Sequence, residues 1–327
     1  MRKFGYWTIA LPLLLASCAQ SPNAGPQSPI APPQQVSSAQ PTTQPESQQR
    51  LPAGTEVHRD LAYVPDGHAR QRLDLYLPPA RSGKVPVVVW IHGGGWSSGS
   101  KARPAATRLL DRGYAVASVG YRLTDTATAP AQINDCAAAI RFLRGNADRF
   151  GIDADHIGVW GASAGGNLAL LIGVGADVAP LQGGEGGFNA LSSRVNCVID
   201  YFGTVEFRNP KQFPINENRI KYLGGLPEER PEIAALVTPI THVTPDDAPT
   251  LIVHGDADNT VPINHSQAMA QAFAAAGVTF EFVTVPGGKH GGEAFATPDV
   301  NAKVDAFLDR YLKPKPGGPE RSPARSN

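Results

Sequence analysis

Short, nearly unbroken apolar runs constrain the fold of this chain more than any other feature of its sequence. The run at 85–91 reads VPVVVWI, and runs of the same kind lie at 115–119, 157–160, 197–202, 251–253 and 280–285. Such runs are typical of strands whose two faces are both covered. Patterns with helical periodicity lie between most of them, at 102–112, 130–150, 165–173, 265–277 and 300–312. Strands that alternate with helices predict an α/β fold with a parallel central sheet.

A hairpin signal precedes this alternating region. Residues 61–64 and 72–77 alternate apolar and polar side chains on either side of the turn Pro65-Asp66-Gly67. This pattern is typical of two antiparallel strands joined by a turn. With the hairpin included, the sequence predicts a mostly parallel, eight-stranded sheet flanked by helices.

The stretch at 203–250 interrupts the alternation. It separates two predicted strands by more than one helix requires, and it is rich in Pro, Asn, Glu and Arg. Long insertions in compact domains are usually functional. We therefore expect a small cap at about 204–245, although a plain surface excursion fits the same composition.

The two ends of the chain differ in composition from its middle. Residues 1–17 combine two basic residues with a short apolar run, which predicts a signal peptide. The sequence LASC resembles the bacterial lipoprotein box, so we expect lipidation of Cys18 and a lipid-anchored protein of the cell envelope. An ordinary secretory signal is the alternative. Residues 18–55 and 314–327 are poor in large apolar side chains and predict a flexible tether and a disordered tail. The folded domain is expected at 56–313.

Net charge bears on the binding partners of the protein, and cysteine content bears on its disulfide bonds. The formal net charge is zero and charged residues make up 18% of the chain, so nothing indicates a nucleic-acid or polyanionic partner. Cys136 and Cys197 are the cysteines that follow Cys18. An exported protein can form a disulfide between them, but each also lies in an apolar pattern in which a buried free thiol fits.

A serine lies between a predicted strand and a predicted helix. The sequence Gly161-Ala162-Ser163-Ala164-Gly165 has the pattern G-x-S-x-G in the strand–turn–helix setting that this pattern requires. The serine of such a turn is held in a strained conformation, and side chains two positions away on either side would collide. Ser163 is the candidate nucleophile.

A glycine-rich loop follows the strand predicted at 85–91. The sequence His92-Gly93-Gly94-Gly95-Trp96 lets the backbone approach a ligand and direct N–H groups at it. We expect the amides of Gly94, Gly95 and Ala164 to form an oxyanion hole. A glycine-rich loop without a ligand is the alternative. The ring of His92 is expected to support the loop by hydrogen bonding.

A serine nucleophile needs a base within hydrogen-bond reach. His290 lies in the glycine-rich loop PGGKHGG between the last predicted strand and the last predicted helix. His254 ends a strand, and its neighbours fit a structural corner. The chain order of serine, acid and histidine favours His290 as the base.

Two neighbouring aspartates compete for the role of the acid. The sequence HGDADNTVP at 254–262 matches the pattern H-G-x-x-D-x-x-V-P, which places the carboxylate at Asp258. It would orient the imidazole and stabilise its charged form. Asp256 is interpreted as a turn residue that bonds the local backbone. Asp200, at the end of the preceding strand, is a weaker competitor.

Taken together, these motifs resemble the α/β-hydrolase superfamily, and specifically its exported esterase/lipase branch, which includes feruloyl and acetyl-xylan esterase-like proteins. The resemblance covers nearly all of 56–313 and includes the sequences YRL at 121–123, DCAAAIRFLR at 135–144 and IGVWGASAGG at 157–166. It implies the α/β-hydrolase fold, a triad and a set of oxyanion donors. The triad would be Ser163, Asp258 and His290, and the donors would be Gly94, Gly95 and Ala164.

The resemblance also implies a function. We expect a serine hydrolase that cleaves carboxylic esters through an acyl-enzyme, with short-chain acyl or carbohydrate-linked esters as substrates and with no metal or cofactor. Trp96 and Tyr121 are expected to line the substrate pocket, unless they are packing residues. Hormone-sensitive-lipase-like relatives usually carry an aspartate before the nucleophile, where this chain has Ala162. Relatives often have the sequence GPTD where this chain has GTVE at 203–206. These departures weaken any transfer of substrate.

Two other functions fit parts of the same pattern. An amide or formamide hydrolase, or a peptidase, would use the same triad. No propeller domain and no obvious acidic pocket for a substrate amine is visible in the sequence, which disfavours an oligopeptidase. A non-catalytic envelope protein that binds ligands is the second alternative. Such proteins usually lack one member of the triad.

Overall fold

An eight-stranded sheet forms the centre of the protein. The computed structural model describes residues 51–313. The strands are Glu56–Ala62 (β1), Arg72–Leu77 (β2), Val85–Ile91 (β3), Ala115–Val119 (β4), Ile152–Ala162 (β5), Cys197–Tyr201 (β6), Thr250–Gly255 (β7) and Phe280–Val285 (β8). They lie in the order β1-β2-β4-β3-β5-β6-β7-β8. The pairs β1–β2 and β2–β4 are antiparallel and all others are parallel. The predicted mostly parallel, eight-stranded sheet is confirmed.

Helices cover both faces of this sheet. The α-helices are Ala131–Gly145 (α1), Ala147–Phe150 (α2), Ala164–Val174 (α3), Ala179–Gln182 (α4), Glu217–Leu223 (α5), Pro231–Leu236 (α6), Asn264–Ala276 (α7) and Pro298–Leu312 (α8). In the described part of the chain, 3₁₀ helices also occur at Ala105–Arg112, Pro239–Thr241 and Glu293–Phe295. Buried side chains of α1, α3 and α7 pack in one core, and those of α8 and of the first 3₁₀ helix pack in a second core. Both cores include strand residues, which explains why the strands are almost wholly apolar.

Several predicted boundaries differ from the structure, among them the start of β5 at Ile152, and three of the differences have clear local reasons. Strand β1 begins at Glu56, five residues before its predicted start. The prediction began late because an irregularity between His58 and Leu61 breaks the apolar–polar alternation. The helix predicted at 102–112 is a 3₁₀ helix that begins after Pro104. The helix predicted at 130–150 is divided at Asn146, whose side-chain amide donates to the carbonyl of Phe142. Short polar side chains of this kind compete with helical hydrogen bonding.

The stretch between β6 and β7 contains two short helices, α5 and α6, and the 3₁₀ helix Pro239–Thr241. Several of its apolar side chains are buried, at Val205, Phe207, Phe213, Tyr222, Leu223, Ala234 and Val237. The ring of Tyr222 stacks on that of Trp96 in the glycine-rich loop, with a centroid distance of 4.2 Å. This insertion therefore packs against the loop at the carboxyl end of β3.

The two cysteines in the described part of the chain are free thiols, and both are buried. Cys136 lies on α1 in one core, and Cys197 lies on β6 in the other. The buried free thiols that the sequence allowed are confirmed and the alternative disulfide is excluded, because these side chains pack in the cores of different faces of the sheet. Burial raises the pKa of both thiols, so each behaves as a small apolar side chain.

The predicted signal peptide, Cys18, most of the predicted tether and the whole of the predicted tail lie outside residues 51–313. Within those residues, no helix combines the length and the apolar composition needed to span a membrane.

Candidate active site

The backbone at Ser163 turns from strand β5 into helix α3 within one residue. Ser163 has φ 56° and ψ −118°, which is an uncommon conformation for a residue with a side chain. Two hydrogen bonds hold it there: its N–H donates to the carbonyl of Tyr201 at 2.8 Å, and its carbonyl accepts from the N–H of Asn167 at 3.0 Å. The serine side chain is thereby raised at the carboxyl end of the sheet.

Glycines on both sides of Ser163 make this turn sterically possible. A Cβ atom at Gly161 would lie 2.0 Å from the carbonyl oxygen of Gly165, and a Cβ atom at Gly165 would lie 2.1 Å from that of Ile91. Contacts of this length do not occur between real atoms. The two glycines of the motif are therefore required by the close approach of β5, α3 and β3.

His290 reaches Ser163 from the loop after β8. Its Nε2 atom lies 2.8 Å from the Oγ atom of Ser163, and its Nδ1 atom lies 2.7 Å from Oδ2 of Asp258. With a proton on Nδ1, the imidazole donates to the carboxylate and accepts from the serine hydroxyl. The side chains of Asp258, His290 and Ser163 thus form one continuous line of hydrogen bonds, although 127 residues separate the serine from the histidine.

The carboxylate of Asp258 is held in place by its own loop. Its Oδ1 atom accepts hydrogen bonds from the amides of Thr260 and Val261, at 2.8 and 3.0 Å. The side chain is buried, and burial alone would raise its pKa. Hydrogen bonds from His254, His290 and the amide of Val261 outweigh burial and hold the pKa of Asp258 well below its usual range. Asp258 is therefore a carboxylate near neutral pH.

Asp256 does not contact His290. Its Oδ1 atom accepts from the amide of Gly287 at 2.7 Å, so it connects the loop after β7 with the loop that carries the histidine. The expectation that Asp256 bonds its local backbone is wrong, because the bonded amide is 31 residues away. The side chain positions the histidine loop.

His254 lies behind the acid and is completely buried. Its Nε2 atom lies 2.8 Å from the carbonyl of Val261 and 3.4 Å from Oδ2 of Asp258. Its Nδ1 atom lies 2.6 Å from the hydroxyl of Ser266. These contacts agree with the structural corner expected from the sequence.

Asp200 is buried beneath the serine turn and is not part of the hydrogen-bonded line. Its Oδ1 atom accepts from the amide of Gly203 at 2.9 Å, and its Oδ2 atom has no partner within residues 51–313. Burial raises its pKa to about 7, against smaller lowering effects of His254 and the Gly203 amide. Its weaker candidacy as the acid is thus not supported.

The glycine-rich loop brings unused backbone donors to the same place. Gly94 and Gly95 line a cavity together with Ser163. Their amides donate no backbone hydrogen bond within residues 51–313. Ala164 is the first residue of helix α3, where amides lack a partner in the preceding turn. All three predicted oxyanion donors therefore flank the serine.

His92 and Tyr121 support the glycine-rich loop from below. The Nδ1 atom of His92 lies 2.7 Å from the carbonyl of Gly93, and burial lowers the pKa of the ring to about 4. The ring stacks on Tyr121, whose hydroxyl donates to the carbonyl of His92 at 2.9 Å. The expectation that Tyr121 lines the pocket is wrong: it is fully buried and does not line the cavity.

A cavity of about 430 Å³ adjoins Ser163 and His290. Trp96 lines it as expected, although only 2% of this residue is exposed. The insertion after β6 contributes Thr204, Asn216, Asn218 and Arg219 to its wall, and Phe202, whose ring centroid lies 4.7 Å from that of His290, also lines it.

The sequence did not indicate these last residues as site residues. For Arg219 alone, the helical spacing of the sequence could have indicated a buried position. It lies three residues before Tyr222 and four before Leu223, so all three side chains share the buried side of α5. A charged residue on such a face is rarely buried without a reason.

The geometry has the parts needed for nucleophilic attack. A hydroxyl lies beside one imidazole nitrogen, a carboxylate lies beside the other, and Gly94 and Gly95, whose amides donate no backbone hydrogen bond within residues 51–313, line the same cavity. Within residues 51–313, no group of three or more His, Cys, Asp or Glu side chains is arranged to hold a metal ion.

The strand order and this site define the class of the protein, which is that of the α/β-hydrolases. Within that class, the model of the BD-FAE family matches residues 73–273, more than half of the chain, and the chain belongs to that family. A second model, described as TAP-like protein, matches residues 234–319.

Individual relatives carry the names of esterases. The chain is 29% identical to Esterase LipQ of Mycobacterium tuberculosis over 264 residues, which are 76% of this chain and 61% of LipQ. The chain thus spans about three fifths of that relative. Among solved structures, a truncated carbohydrate esterase from gut microbiota superposes with a TM-score of 0.76 at 30% identity, over 81% of this chain and 99% of that one. An acetyl ester-xyloside bifunctional hydrolase from Caldicellulosiruptor lactoaceticus gives a TM-score of 0.63 at 26% identity, over 73% and 87%.

The buried carboxyl of Asp200 predicts a specific dependence of stability on pH. Its folded pKa of about 7 lies above the ordinary value of 3.8, so its contribution to stability is complete below about pH 4 and is lost as the pH rises through 7. Asp200→Asn removes this titration. Between pH 5 and pH 8, the unfolding free energy of the variant should increase relative to wild type by about 2–3 kcal/mol.

Urea unfolding at the two pH values measures this difference. Asp111→Asn serves as the control, because Asp111 is exposed. A difference between Asp200→Asn and wild type that is the same at both pH values would contradict the prediction.

Proposed function

We propose that the protein hydrolyses carboxylic esters through an acyl-enzyme. Ser163 acts as the nucleophile, His290 as the general base and acid, and Asp258 as the carboxylate that orients the imidazole. The observation that carries the proposal is the continuous line of hydrogen bonds, with 2.7 Å between Asp258 and His290 and 2.8 Å between His290 and Ser163. The esterase names of the relatives support ester cleavage over other reactions of the same triad.

Each half of the reaction moves one proton through His290. The Nε2 atom takes the proton of the Ser163 hydroxyl while Oγ attacks the ester carbonyl, and the charged imidazolium is stabilised by Asp258. The imidazolium then protonates the departing alcohol, which leaves an acyl group on Oγ. Water loses a proton to Nε2 as it attacks this acyl group, and the proton returns to Oγ when the acid departs.

The amides of Gly94, Gly95 and Ala164 are proposed to stabilise the negative charge on the carbonyl oxygen in both halves. Fixed donors of this kind are worth on the order of 3 kcal/mol each in the transition state. The φ angles of Gly94 and Gly95 are 111° and 59°, which aim consecutive amides in directions that an ordinary extended chain does not offer.

Short-chain acyl or carbohydrate-linked esters are the proposed substrates. The cavity of about 430 Å³ is in the range that holds a small ligand. Two similar structures are named a carbohydrate esterase and an acetyl ester-xyloside hydrolase. No acidic side chain lines the cavity within residues 51–313, so a peptide amine would find no carboxylate there.

The roles of the two neighbouring aspartates can be separated by substitution. Asp258→Asn should lower kcat for p-nitrophenyl acetate by about 10³- to 10⁴-fold, because the amide cannot hold the productive tautomer of His290. Asp256→Asn should cost less than about tenfold, because its side-chain oxygen can still accept from the amide of Gly287. The reverse order of effects would overturn the assignment.

A fluorophosphonate probe tests the nucleophile itself. The probe should attach to the peptide that contains Ser163, and Ser163→Ala should abolish labelling. Folded protein that does not react would indicate a non-catalytic binding protein.

The choice between ester and amide is a separate prediction. With matched aryl substrates, kcat/KM for p-nitrophenyl acetate should exceed kcat/KM for an N-formyl aryl amine. Each value is divided by the rate of the uncatalysed hydrolysis, so that the comparison reports the enzyme's preference. A higher corrected value for the formyl amide would favour the formamidase alternative.

Export and lipid attachment at Cys18 complete the proposal. They are supported by the basic and apolar start of the sequence and by the cysteine that follows LAS at 15–17. Each buried acyl methylene contributes about 0.8 kcal/mol to membrane attachment. In a bacterial host fed an alkyne-labelled fatty acid, the wild-type protein should carry the label and fractionate with membranes, and Cys18→Ala should do neither. Labelling that persists in Cys18→Ala would contradict the assignment.

A further inference from the structure

The cavity beside Ser163 contains a buried cation without an anionic partner. Arg219 lies on α5, is 3% exposed and lines the cavity. Its guanidinium donates to the carbonyl of Pro214 and to Oγ1 of Thr204, the latter at 3.2 Å. Both acceptors are neutral. Burial lowers the pKa of Arg219 to about 10, which still leaves it charged near neutral pH.

Two other arginines show the arrangement that is missing here, whereas Arg141, which is also 3% exposed, lies away from the cavity and donates to the carbonyls of Gln182 and Glu185. Arg122 pairs with Asp135 and Glu185, and Arg208 pairs with Glu206 in the same insertion as Arg219. No ion pair within residues 51–313 includes Arg219. A guanidinium carries five N–H donors and a fixed charge, and buried charges are normally paired. Arg219 therefore has donors and charge to offer to a molecule in the cavity.

The surroundings of Arg219 leave this charge uncompensated. The cavity wall within the described residues holds no Asp or Glu, and its other polar side chains include the amides of Asn216 and Asn218 and the hydroxyls of Ser98, Thr204 and Thr260. A small cavity with one fixed positive charge and neutral walls concentrates a positive potential. Such a potential attracts anions and repels amines.

We propose that the site selects esters that carry a carboxylate, and that Arg219 binds this carboxylate while Ser163 attacks the ester. This inference rests on the proposed esterase function. A carboxylate offers two oxygens to the planar donors of a guanidinium and neutralises its charge. A neutral hydroxyl, such as that of a sugar ring, supplies an acceptor but leaves the charge buried and unpaired, so it compensates the arginine less well.

The carboxylate can lie on either side of the scissile bond, and two substrate pairs distinguish the sides. Mono-p-nitrophenyl adipate against its methyl ester places the charge on the acyl group, too far from the ester for its own carboxylate to form a five-membered anhydride. The anion 3-acetoxybenzoate against methyl 3-acetoxybenzoate places it on the leaving group. Rates are measured at pH 8, and each kcat/KM is divided by the rate of hydroxide-catalysed hydrolysis of the same compound.

For each pair, the preference is the ratio of the corrected kcat/KM of the anionic member to that of its methyl ester. In the wild-type protein this ratio should be about ten or more for at least one pair, which corresponds to one charge-assisted hydrogen bond. In Arg219→Gln the ratio should fall to within about twofold of one, and Arg219→Lys should keep an intermediate preference. Arg230→Gln is the matched control, because Arg230 belongs to the same insertion but is exposed and does not line the cavity. It should keep the wild-type ratio.

A ratio of one or less for both pairs in the wild type would overturn the inference, and so would a preference that survives in Arg219→Gln. The wild-type ratios require no variant, so they remain decisive if Arg219→Gln does not fold, and thermal unfolding shows whether it does. Equal binding of a neutral polyol and of its uronic acid would also count against a carboxylate.

Failure of this inference can be told apart from failure of the proposed function. Calorimetry with Ser163→Ala measures binding without turnover, using monomethyl succinate and dimethyl succinate as probes. Monomethyl succinate should bind about tenfold more tightly, and equal affinities would overturn the inference. Loss of turnover and of fluorophosphonate labelling in the wild type, with this preference intact, would overturn the esterase function alone.

Discussion

Ser163 occupies a left-handed backbone conformation because strand, turn and helix pack with no space between their backbones. The clash distances at Gly161 and Gly165, 2.0 and 2.1 Å to carbonyl oxygens, show that the turn, the start of α3 and the end of β3 are mutually in contact. The same contact brings the glycine-rich loop after β3 beside the serine. The positions of Ser163 and of the amides of Gly94 and Gly95 thus depend on one packing constraint, and a larger side chain at Gly161 or Gly165 would disturb both.

The positions of Asp258 and His290 depend on a second backbone contact between adjacent strand ends. A Cβ atom at Gly255 would lie 2.1 Å from the carbonyl of Gly288, and the amide of Ala257 donates to that carbonyl at 3.0 Å. Asp256 adds its hydrogen bond to Gly287. The loops after β7 and β8 therefore contact each other through these backbone groups as well as through the hydrogen bond between Asp258 and His290. This explains why a histidine that is 22% exposed can still be held within hydrogen-bond distance of both partners.

The sequence predicted the parts of this protein that short-range rules determine. Fully apolar runs identify strands buried on both faces, and motif order along the chain identified Ser163, Asp258 and His290. It could not predict features that depend on which segments meet in space. The irregularity in β1 hides residues 56–60 from an alternation test, Cys136 and Cys197 are separated by the sheet, and Tyr121 contacts His92 from below the loop and not the cavity. Arg219 lines the cavity beside Ser163 only because the insertion that carries it packs against the glycine-rich loop.

Reactivity and selectivity consequently depend on different segments. Ser163, Asp258 and His290 follow the ends of strands that share two cores, where a displacement of one strand is resisted by its neighbours. Arg219, Asn216 and Asn218 lie on or beside α5, a helix of seven residues that is joined to the rest of the site through Tyr222 on Trp96 and through Asn218 beside Gly95. Changes in the insertion can alter which ester enters while the backbone contacts at Gly161, Gly165 and Gly255 stay as they are. Because a buried charge interacts more strongly than an exposed one, one arginine in this short segment can affect substrate choice more than several polar residues at the rim.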